Sequence, residues 1–144
     1  MATLRFLWII HTTSTRANAD TDDPFRLEVR ERTTPPPGGS WRFLPFPDLP
    51  SPDEKQQGVT EQYRFDLTAE TGHLSIDMDT LTPDGIAVTI RGVDAWLPSS
   101  IWAIGEDVNG ARRLLAGVPN WPTSVSRGWF SEDPTEGRMT RSLG

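Results

Sequence analysis

The chain has 144 residues, which is the size of one ordinary domain with a core of its own. Its 13 prolines and 12 glycines favour many turns over long helices, and the absence of cysteine excludes disulfides, thiolate metal sites and cysteine catalysis. The formal charge of −6 argues against the broad basic face that general nucleic-acid binding requires.

The first apolar segment, Leu4–Thr12, is rich in β-branched and aromatic residues, a composition typical of a buried strand. An alternative interpretation is a secretory signal, since Arg5 precedes the apolar Phe6–Ile10 and Ala17–Ala19 resembles a signal-peptidase site. Such signals usually have an apolar core of about 7–15 residues, and this one is shorter. We therefore predict a first β-strand and a cytoplasmic protein. No apolar run approaches the ~20 residues of a membrane span.

Apolar and polar residues alternate along much of the remaining chain, and a period of two predicts strands with one face inward. Turn signals separate these segments, notably Thr71-Gly72, Pro83-Asp84-Gly85 and Asn109-Gly110. No segment repeats apolar residues at helical spacing over a dozen positions. The sequence therefore predicts an all-β protein, an antiparallel two-sheet β-sandwich of about eight strands. After the first strand, the predicted strands are Phe25–Val29, Trp41–Phe46, Tyr63–Leu67, Leu74–Met78, Ile86–Ile90, Ile101–Ile104 and Arg112–Ala116.

The alternation also predicts which side chains form the core. These side chains belong to a single domain. We expect one sandwich domain over residues 1–127 with a proline-rich insertion at 33–59. Residues 128–144 are expected to form a C-terminal arm, because they are polar and have no period. The side chains predicted to point inward are Phe6, Trp8, Ile10, Phe25, Leu27, Val29, Tyr63, Phe65, Leu67, Leu74, Ile76, Met78, Ile86, Val88, Ile90, Ile101 and Leu114.

Three stretches, taken in order, resemble a known β-sandwich family. They are Leu4–Thr12 with the following Ala19–Val29, then Tyr63–Leu67, then Asp94–Ile104 with its Asp-x-Trp pattern. Together they resemble the PLAT family (polycystin, lipoxygenase, alpha-toxin), over roughly Leu4 to Pro122. Thr21 and Asp22 fall on the Thr-Asp pair of the family's first loop, whereas Asp20 stands where the family prefers glycine. The resemblance implies a PLAT-like sandwich.

The first loop also carries the densest carboxylates of the chain, Asp20, Asp22 and Asp23. Some PLAT domains bind calcium near the Thr-Asp position, so the resemblance implies calcium as a cofactor, with Asp22 as a ligand. Calcium needs six to eight oxygens, and Asp94, Asp53 or Glu54 would add ligands if their loops share this end of the sandwich. The alternative is that Thr21 and Asp22 cap the turn through side-chain to backbone hydrogen bonds.

Six tryptophans are many for this length, and exposed rings on loops anchor partners or enter membrane interfaces. Trp8 and Trp102 lie in predicted strands and are expected in the core, and Trp96 is expected to cover the sandwich edge. Trp129 and Phe130 follow the predicted domain, so we expect them, with Trp121, to contact a protein partner. The alternative is that they pack on their own sandwich.

The sequence contains no Gly-x-Ser-x-Gly elbow, no His-Glu-x-x-His and no phosphate-binding loop. His11 and His73 stand at strand ends, and Asp77 and Asp79 occupy a predicted solvent face. We therefore predict a non-catalytic PLAT-like interaction module that docks to a protein partner or to copies of itself, as a subunit or adaptor of a larger assembly, without nucleic acid. The alternative is a calcium-dependent domain that binds lipid at a membrane surface.

Overall fold

The structure is a computed structural model that describes residues 2–31, 40–46, 56–67 and 76–144. Within these ranges the only helical element is a short 3-10 turn at Pro83–Gly85. No helix of the described part is long and apolar enough to span a membrane. The strands in chain order are β1 (Leu4–Thr13), β2 (Phe25–Glu31), β3 (Ser40–Pro45), β4 (Thr60–Asp66), β5 (Ile86–Ile90), β6 (Pro98–Asp107), β7 (Arg112–Val118) and β8 (Thr140–Ser142).

The strands form two four-stranded sheets, with orders β4-β1-β6-β7 and β3-β2-β5-β8. All named strand pairs are antiparallel. The predicted all-β two-sheet sandwich is therefore confirmed. The Asn109-Gly110 turn joins β6 to β7 as predicted, with φ of 87° at Gly110, a value that favours glycine.

The core lies between the two sheets and is supplied by alternate residues of each strand. Leu7 and Ile9 of β1 are fully buried, and they face Leu27 and Ile86 in the same apolar cluster from the other sheet. Most of the predicted inward residues are confirmed as buried, namely Phe25, Leu27, Val29, Tyr63, Phe65, Leu67, Ile76, Met78, Ile86, Val88, Ile90 and Ile101. Leu74 lies outside the described residues, as do His73 and the Thr71-Gly72 turn.

The predicted orientation of β1 is wrong by one residue. Leu7 and Ile9 point into the core, whereas Phe6, Trp8 and Ile10 are only half-buried on the opposite face of the sheet. Both faces of this strand are apolar, so alternation alone does not distinguish them, and a one-residue change of register exchanges the faces completely. Trp102 is likewise half-buried rather than in the core, because it stands opposite Ile10 on that outer face.

The prediction for Leu114 is also wrong, since this side chain is 56% exposed. The pairing of β6 with β7 shifts between Ala103 and Ile104, which inserts one extra residue into β7. A bulge of this kind reverses the alternation along the strand. Ala116 is consequently buried, whereas Leu114 stands beside Ile104 on the outer face.

The structure places residues 128–144 on the sandwich itself, where the sequence predicts an arm. β8 pairs with β5 at the edge of the second sheet, and Leu143 is buried in the core. Phe130 is fully buried, and its backbone exchanges two hydrogen bonds with Trp96. The segment shows no strand period because only Thr140–Ser142 within it forms a strand, while Phe130 and Leu143 pack into the core from irregular chain.

Replacement of Ile9 and Ile10 by alanine will test the register of β1. Ile9→Ala should lower the free energy of unfolding by about 3–5 kcal/mol, because the side chain is fully buried. Ile10→Ala should cost less than about 2 kcal/mol, since this side chain is only half-buried. Urea denaturation of both variants measures the difference. A larger loss for Ile10→Ala would place the other face of β1 inward.

A second pair tests whether the C-terminal segment belongs to the domain. Leu143→Ala should cost about 2–4 kcal/mol, because it leaves a cavity in the core. Met139→Ala is the matched control, since Met139 is 42% exposed and its loss should change stability by less than about 0.5 kcal/mol. Equal stability of the two variants would mean that the segment is held by something other than this core.

Candidate binding surfaces

The carboxylates of the first loop meet the loop before β6 at one end of the sandwich. Asp23 Oδ2 accepts a hydrogen bond of 2.8 Å from the Asp94 backbone N–H, and Asp94 Oδ2 accepts one of 3.3 Å from the Asp22 N–H. Thr21 is buried, and its hydroxyl donates to the Asp94 carbonyl at 2.7 Å while accepting from the Asp23 N–H at 3.1 Å. The two loops are thus tied together by reciprocal side-chain to backbone hydrogen bonds.

A close approach at Gly92 strengthens this connection. A Cβ atom at Gly92 would lie 2.2 Å from Asp23 Oδ2, so the carboxylate occupies the space where any other residue would place a side chain. The Asp23 carboxylate can therefore lie here and connect the two loops only because residue 92 is glycine. The side chains that cap the turn are those of Thr21 and Asp23, whereas the sequence predicts Thr21 and Asp22 as the capping residues.

The calcium hypothesis requires several of these carboxylates to converge on one ion. The structure brings Asp22, Asp23 and Asp94 to the same end of the sandwich, with Asp20 half-buried beside them in the chain. Within residues 2–31, 40–46, 56–67 and 76–144, however, no three His, Cys, Asp or Glu side chains are placed to hold a metal ion. Asp53 and Glu54 lie outside these ranges. The described residues alone therefore do not form a calcium site, because too few of their carboxylates converge on one point, and calcium binding stays a prediction.

The three C-terminal rings pack on their own chain. Phe130 is buried among Trp96, Trp121 and Phe25, with ring centroids 5.2, 5.8 and 6.4 Å away. Trp121 is also buried, and its indole N–H donates to the Gly128 carbonyl at 2.9 Å. Trp129 is half-buried and packs against the edge of the core. These rings anchor the C-terminal segment. Their contact with a partner stays a prediction, and of the three rings only Trp129 is exposed enough to make it.

The sheet β4-β1-β6-β7 carries a second aromatic group on the side away from the core, which we call the outer face. Its side chains are half-buried or exposed and come from three adjacent strands. Trp102 lies across Gly117, where a Cβ atom would be 2.6 Å from the ring. This close approach keeps the ring flat on the sheet. The apolar members of the outer face are Phe6, Trp8, Ile10, Trp102, Ile104 and Leu114.

Arginine side chains lie over the faces of two of these rings. The Arg5 and Arg64 guanidinium carbons each lie 4.7 Å from the centre of the Phe6 ring. Arg112 lies 5.2 Å from the centre of the Trp8 ring and forms an ion pair with Glu106, with Nε to Oε1 at 2.6 Å. Guanidinium groups over aromatic faces are held in place while several of their N–H groups remain directed to solvent.

A small hollow opens in the middle of this face. It has a volume of about 120 Å³ and is lined by Trp8, Ile10, Gln62, Ile104 and Arg112. Trp8, one of the residues that line the hollow, has a buried indole Nε1 with no hydrogen-bond acceptor among the described residues. A buried N–H without an acceptor is costly, so an oxygen atom from outside would be stabilised if it reached this nitrogen after the groups that cover it moved aside.

The outer face is not evident from the sequence, because alternation alone predicts Phe6, Trp8 and Ile10 in the core. One signal was present. β1 is apolar on both faces, whereas a strand of an antiparallel sandwich usually has one polar face. The larger aromatic residues occupy the face that was assigned wrongly.

Comparison with solved structures supports the fold. The chain is similar to an alpha toxin from Clostridium absonum, with 15% identity and a TM-score of 0.70, and to the alpha-toxin from an avian strain of Clostridium perfringens, with 17% identity and a TM-score of 0.69. Each match covers 99% of this chain and 32% of the toxin. The matched parts are the toxins' C-terminal domains, which are PLAT-family β-sandwiches. The chain therefore has the PLAT β-sandwich fold, as the three sequence stretches predicted.

The other two comparisons gave no match. No protein-family model matches the sequence, and no curated protein is significantly similar to it. The chain spans about a third of the length of the two toxins, and the likeness to them concerns the fold alone.

The capping role of Asp23 gives a test with its neighbour as control. Asp23→Ala should lower the free energy of unfolding by about 1 kcal/mol, because the Asp94 N–H loses its acceptor. Asp22→Ala should change it by less than about 0.5 kcal/mol, since the Asp22 carboxylate accepts no hydrogen bond from the described residues. Thermal unfolding monitored by circular dichroism measures both. A larger loss in Asp22→Ala would contradict the assignment of the cap.

Proposed function

We propose that this chain is a non-catalytic docking domain that binds a protein partner through its outer face. The partner presents an acidic side chain that enters the hollow beside Trp8 and Arg112, with apolar groups around it. In this role the domain serves as a subunit or adaptor of a larger assembly. The observation that carries the proposal is the buried Trp8 N–H without an acceptor, next to an arginine, in the middle of an aromatic face.

The residue types of the outer face support a protein partner. Protein interfaces are enriched in tryptophan, phenylalanine and arginine, and their strongest contacts are large rings and guanidinium groups near the centre of the patch. Trp8 and Trp102 occupy neighbouring strands of one sheet. Their side chains are already ordered by Arg112 and Gly117, so binding would cost little additional side-chain entropy.

The charges support an acidic partner. Arg5, Arg64 and Arg112 lie around the rings. A carboxylate entering the hollow would accept a hydrogen bond from an Arg112 η nitrogen, since Glu106 engages Arg112 through Nε. It would accept a second one from the Trp8 indole once the groups that cover that nitrogen moved aside. The planar guanidinium group favours bidentate hydrogen bonding to a carboxylate.

The lipid alternative has less support from the described surface. Insertion into a membrane interface needs exposed aromatic or large aliphatic side chains grouped at one end of the sandwich. Among the described residues, the exposed large apolar side chains include no aromatic ring. They are Val59, Val93, Val108, Leu114, Val125 and Met139. Val93 and Val125 line one hollow beside the half-buried Trp129, and the others come from separate loops and strands.

A selection experiment on the purified full chain tests the proposal. A library of displayed random peptides is enriched on the immobilised protein, and enriched sequences are synthesised for affinity measurement by fluorescence anisotropy. We expect aspartate or glutamate flanked by apolar residues. Trp8→Ala should weaken binding by about 30-fold, as expected for a central ring of an interface, while Val93→Ser, a change at an exposed loop valine, should leave it unchanged.

Further measurements separate the possible occupants of the outer face. Arg112→Gln, and an Asp→Asn or Glu→Gln change in the peptide, should each weaken binding, and circular dichroism verifies that every variant is folded. Enriched peptides without acidic residues, or binding that Trp8→Ala leaves intact, would contradict the proposal. A Trp8-dependent dimer in sedimentation velocity would mean that the outer face binds a second copy of this chain. Trp8-dependent sedimentation with lipid vesicles would mean that it binds a membrane.

A further inference from the structure

A groove runs between the free edges of the two sheets, at the end of β7 and along β8. It has a volume of about 720 Å³, within the usual range for sites that bind small organic molecules. Arg127, Arg138 and Arg141 line it, together with Gly144, the last residue of the sequence, and no Asp or Glu side chain does. We call this feature the arginine groove.

The positive charge of the arginine groove is not neutralised by the described residues. Elsewhere on the chain, arginines pair with nearby carboxylates, as Arg91 does with Glu132, Arg112 with Glu106 and Arg113 with Asp79. Within residues 2–31, 40–46, 56–67 and 76–144, none of Arg127, Arg138 and Arg141 forms an ion pair. The groove is therefore a local concentration of positive charge that attracts anions.

Arg141 forms the fixed wall of the groove. Its guanidinium donates hydrogen bonds to the carbonyl oxygens of Trp129, Ser126 and Val125, at 2.9 to 3.3 Å. These bonds hold the 125–129 loop against β8 but leave the charge without a counterion. Burial lowers the pKa of Arg141, and repulsion from Arg138 lowers it further. An anion placed between the two guanidinium groups would relieve this repulsion.

Arg127 and Arg138 supply the available donors. Both side chains are exposed, and neither donates a hydrogen bond to another described residue. Two guanidinium groups match the several oxygens and the double charge of a phosphate group better than a single carboxylate. Apolar side chains complete the groove, with Val118, Trp121 and Leu143 among them. The space and the apolar wall suit an organic group attached to the phosphate.

From this arrangement we propose that the arginine groove binds a phosphomonoester, with Arg127 and Arg138 holding the phosphate oxygens and the apolar wall contacting the ester group. The phosphate belongs either to a small soluble ester or to a lipid headgroup. This site is separate from the outer face, because it lies between the edges of both sheets rather than on one sheet. Its occupation requires no change in the docking function.

Titration of the full chain with defined phosphate compounds tests the proposal. The probes are inorganic phosphate, phenyl phosphate, benzoate as a carboxylate of similar shape, and phosphatidylcholine vesicles with and without phosphatidic acid. Binding is followed by the NMR signals of the arginine Nε–H groups and of the Trp121 indole, which lines the groove. We expect phenyl phosphate to bind more tightly than inorganic phosphate or benzoate, with shifts confined to these groups.

Two double variants carry the comparison. Arg127→Gln with Arg138→Gln should weaken phenyl phosphate binding by at least about tenfold, because both charged hydrogen-bond donors to the phosphate are lost. Arg16→Gln with Arg113→Gln is the matched control, since both are exposed arginines outside the groove and the change in net charge is the same. This control should bind as the parent does.

The outcomes separate the sources of the phosphate group. Saturable binding of phenyl phosphate without vesicle binding indicates a soluble ester, and binding only to vesicles that contain phosphatidic acid indicates a lipid headgroup. The proposal is overturned if the parent binds none of the phosphate probes. It is also overturned if benzoate binds equally well, or if the two double variants lose the same affinity, which would reflect net charge alone.

Discussion

The position of β1 in the centre of its sheet is the constraint on which the rest of the structure depends. This strand pairs with β4 on one side and β6 on the other, so the backbone of its Phe6–Thr12 part has a hydrogen-bonding strand on both sides. Its side chains can then point only to the core face or to the outer face of the sheet. Leu7 and Ile9 enter the core, and Trp8 stands on the outer face. Because both sides of β1 are apolar, filling the core leaves an aromatic surface behind, and the proposed docking site follows from that surplus.

A second contact closes the sandwich at its C-terminal side. Phe130 is fully buried against Trp96, and the backbones of the two residues exchange hydrogen bonds of 2.8 and 2.9 Å. The same contact brings the loop at 125–129 within reach of Arg141 on β8. Arg141 donates to three carbonyl groups of that loop, and its position fixes one wall of the arginine groove. One aromatic contact thus organises both the end of the chain and a concentration of positive charge.

The two proposed sites differ in what the protein has already ordered. On the outer face the rings are held by cation–π contacts and by the close approach of Trp102 to Gly117, so a partner would meet a rigid surface. In the arginine groove only Arg141 is held, and Arg127 and Arg138 are exposed. The first arrangement suits recognition of a shaped protein surface. The arginine groove suits a small anion, because the two exposed guanidinium groups can move to contact it.

The sequence alone determined the class of the fold, because period-two alternation in β2, β4 and β5 and the Asn109-Gly110 turn depend only on neighbours along the chain. It did not determine the direction of β1, because an apolar strand satisfies either orientation, nor the exposure of Leu114, because a bulge in β7 has no sequence marker here. The carboxylates of the first loop were found by composition, yet their use as caps depends on Gly92 and Asp94, some seventy residues away. The arginine groove joins residues of a loop and of β8 that have no common motif. Tertiary structure decided these features, since each depends on which distant segments share an edge, a face or an end of the sandwich.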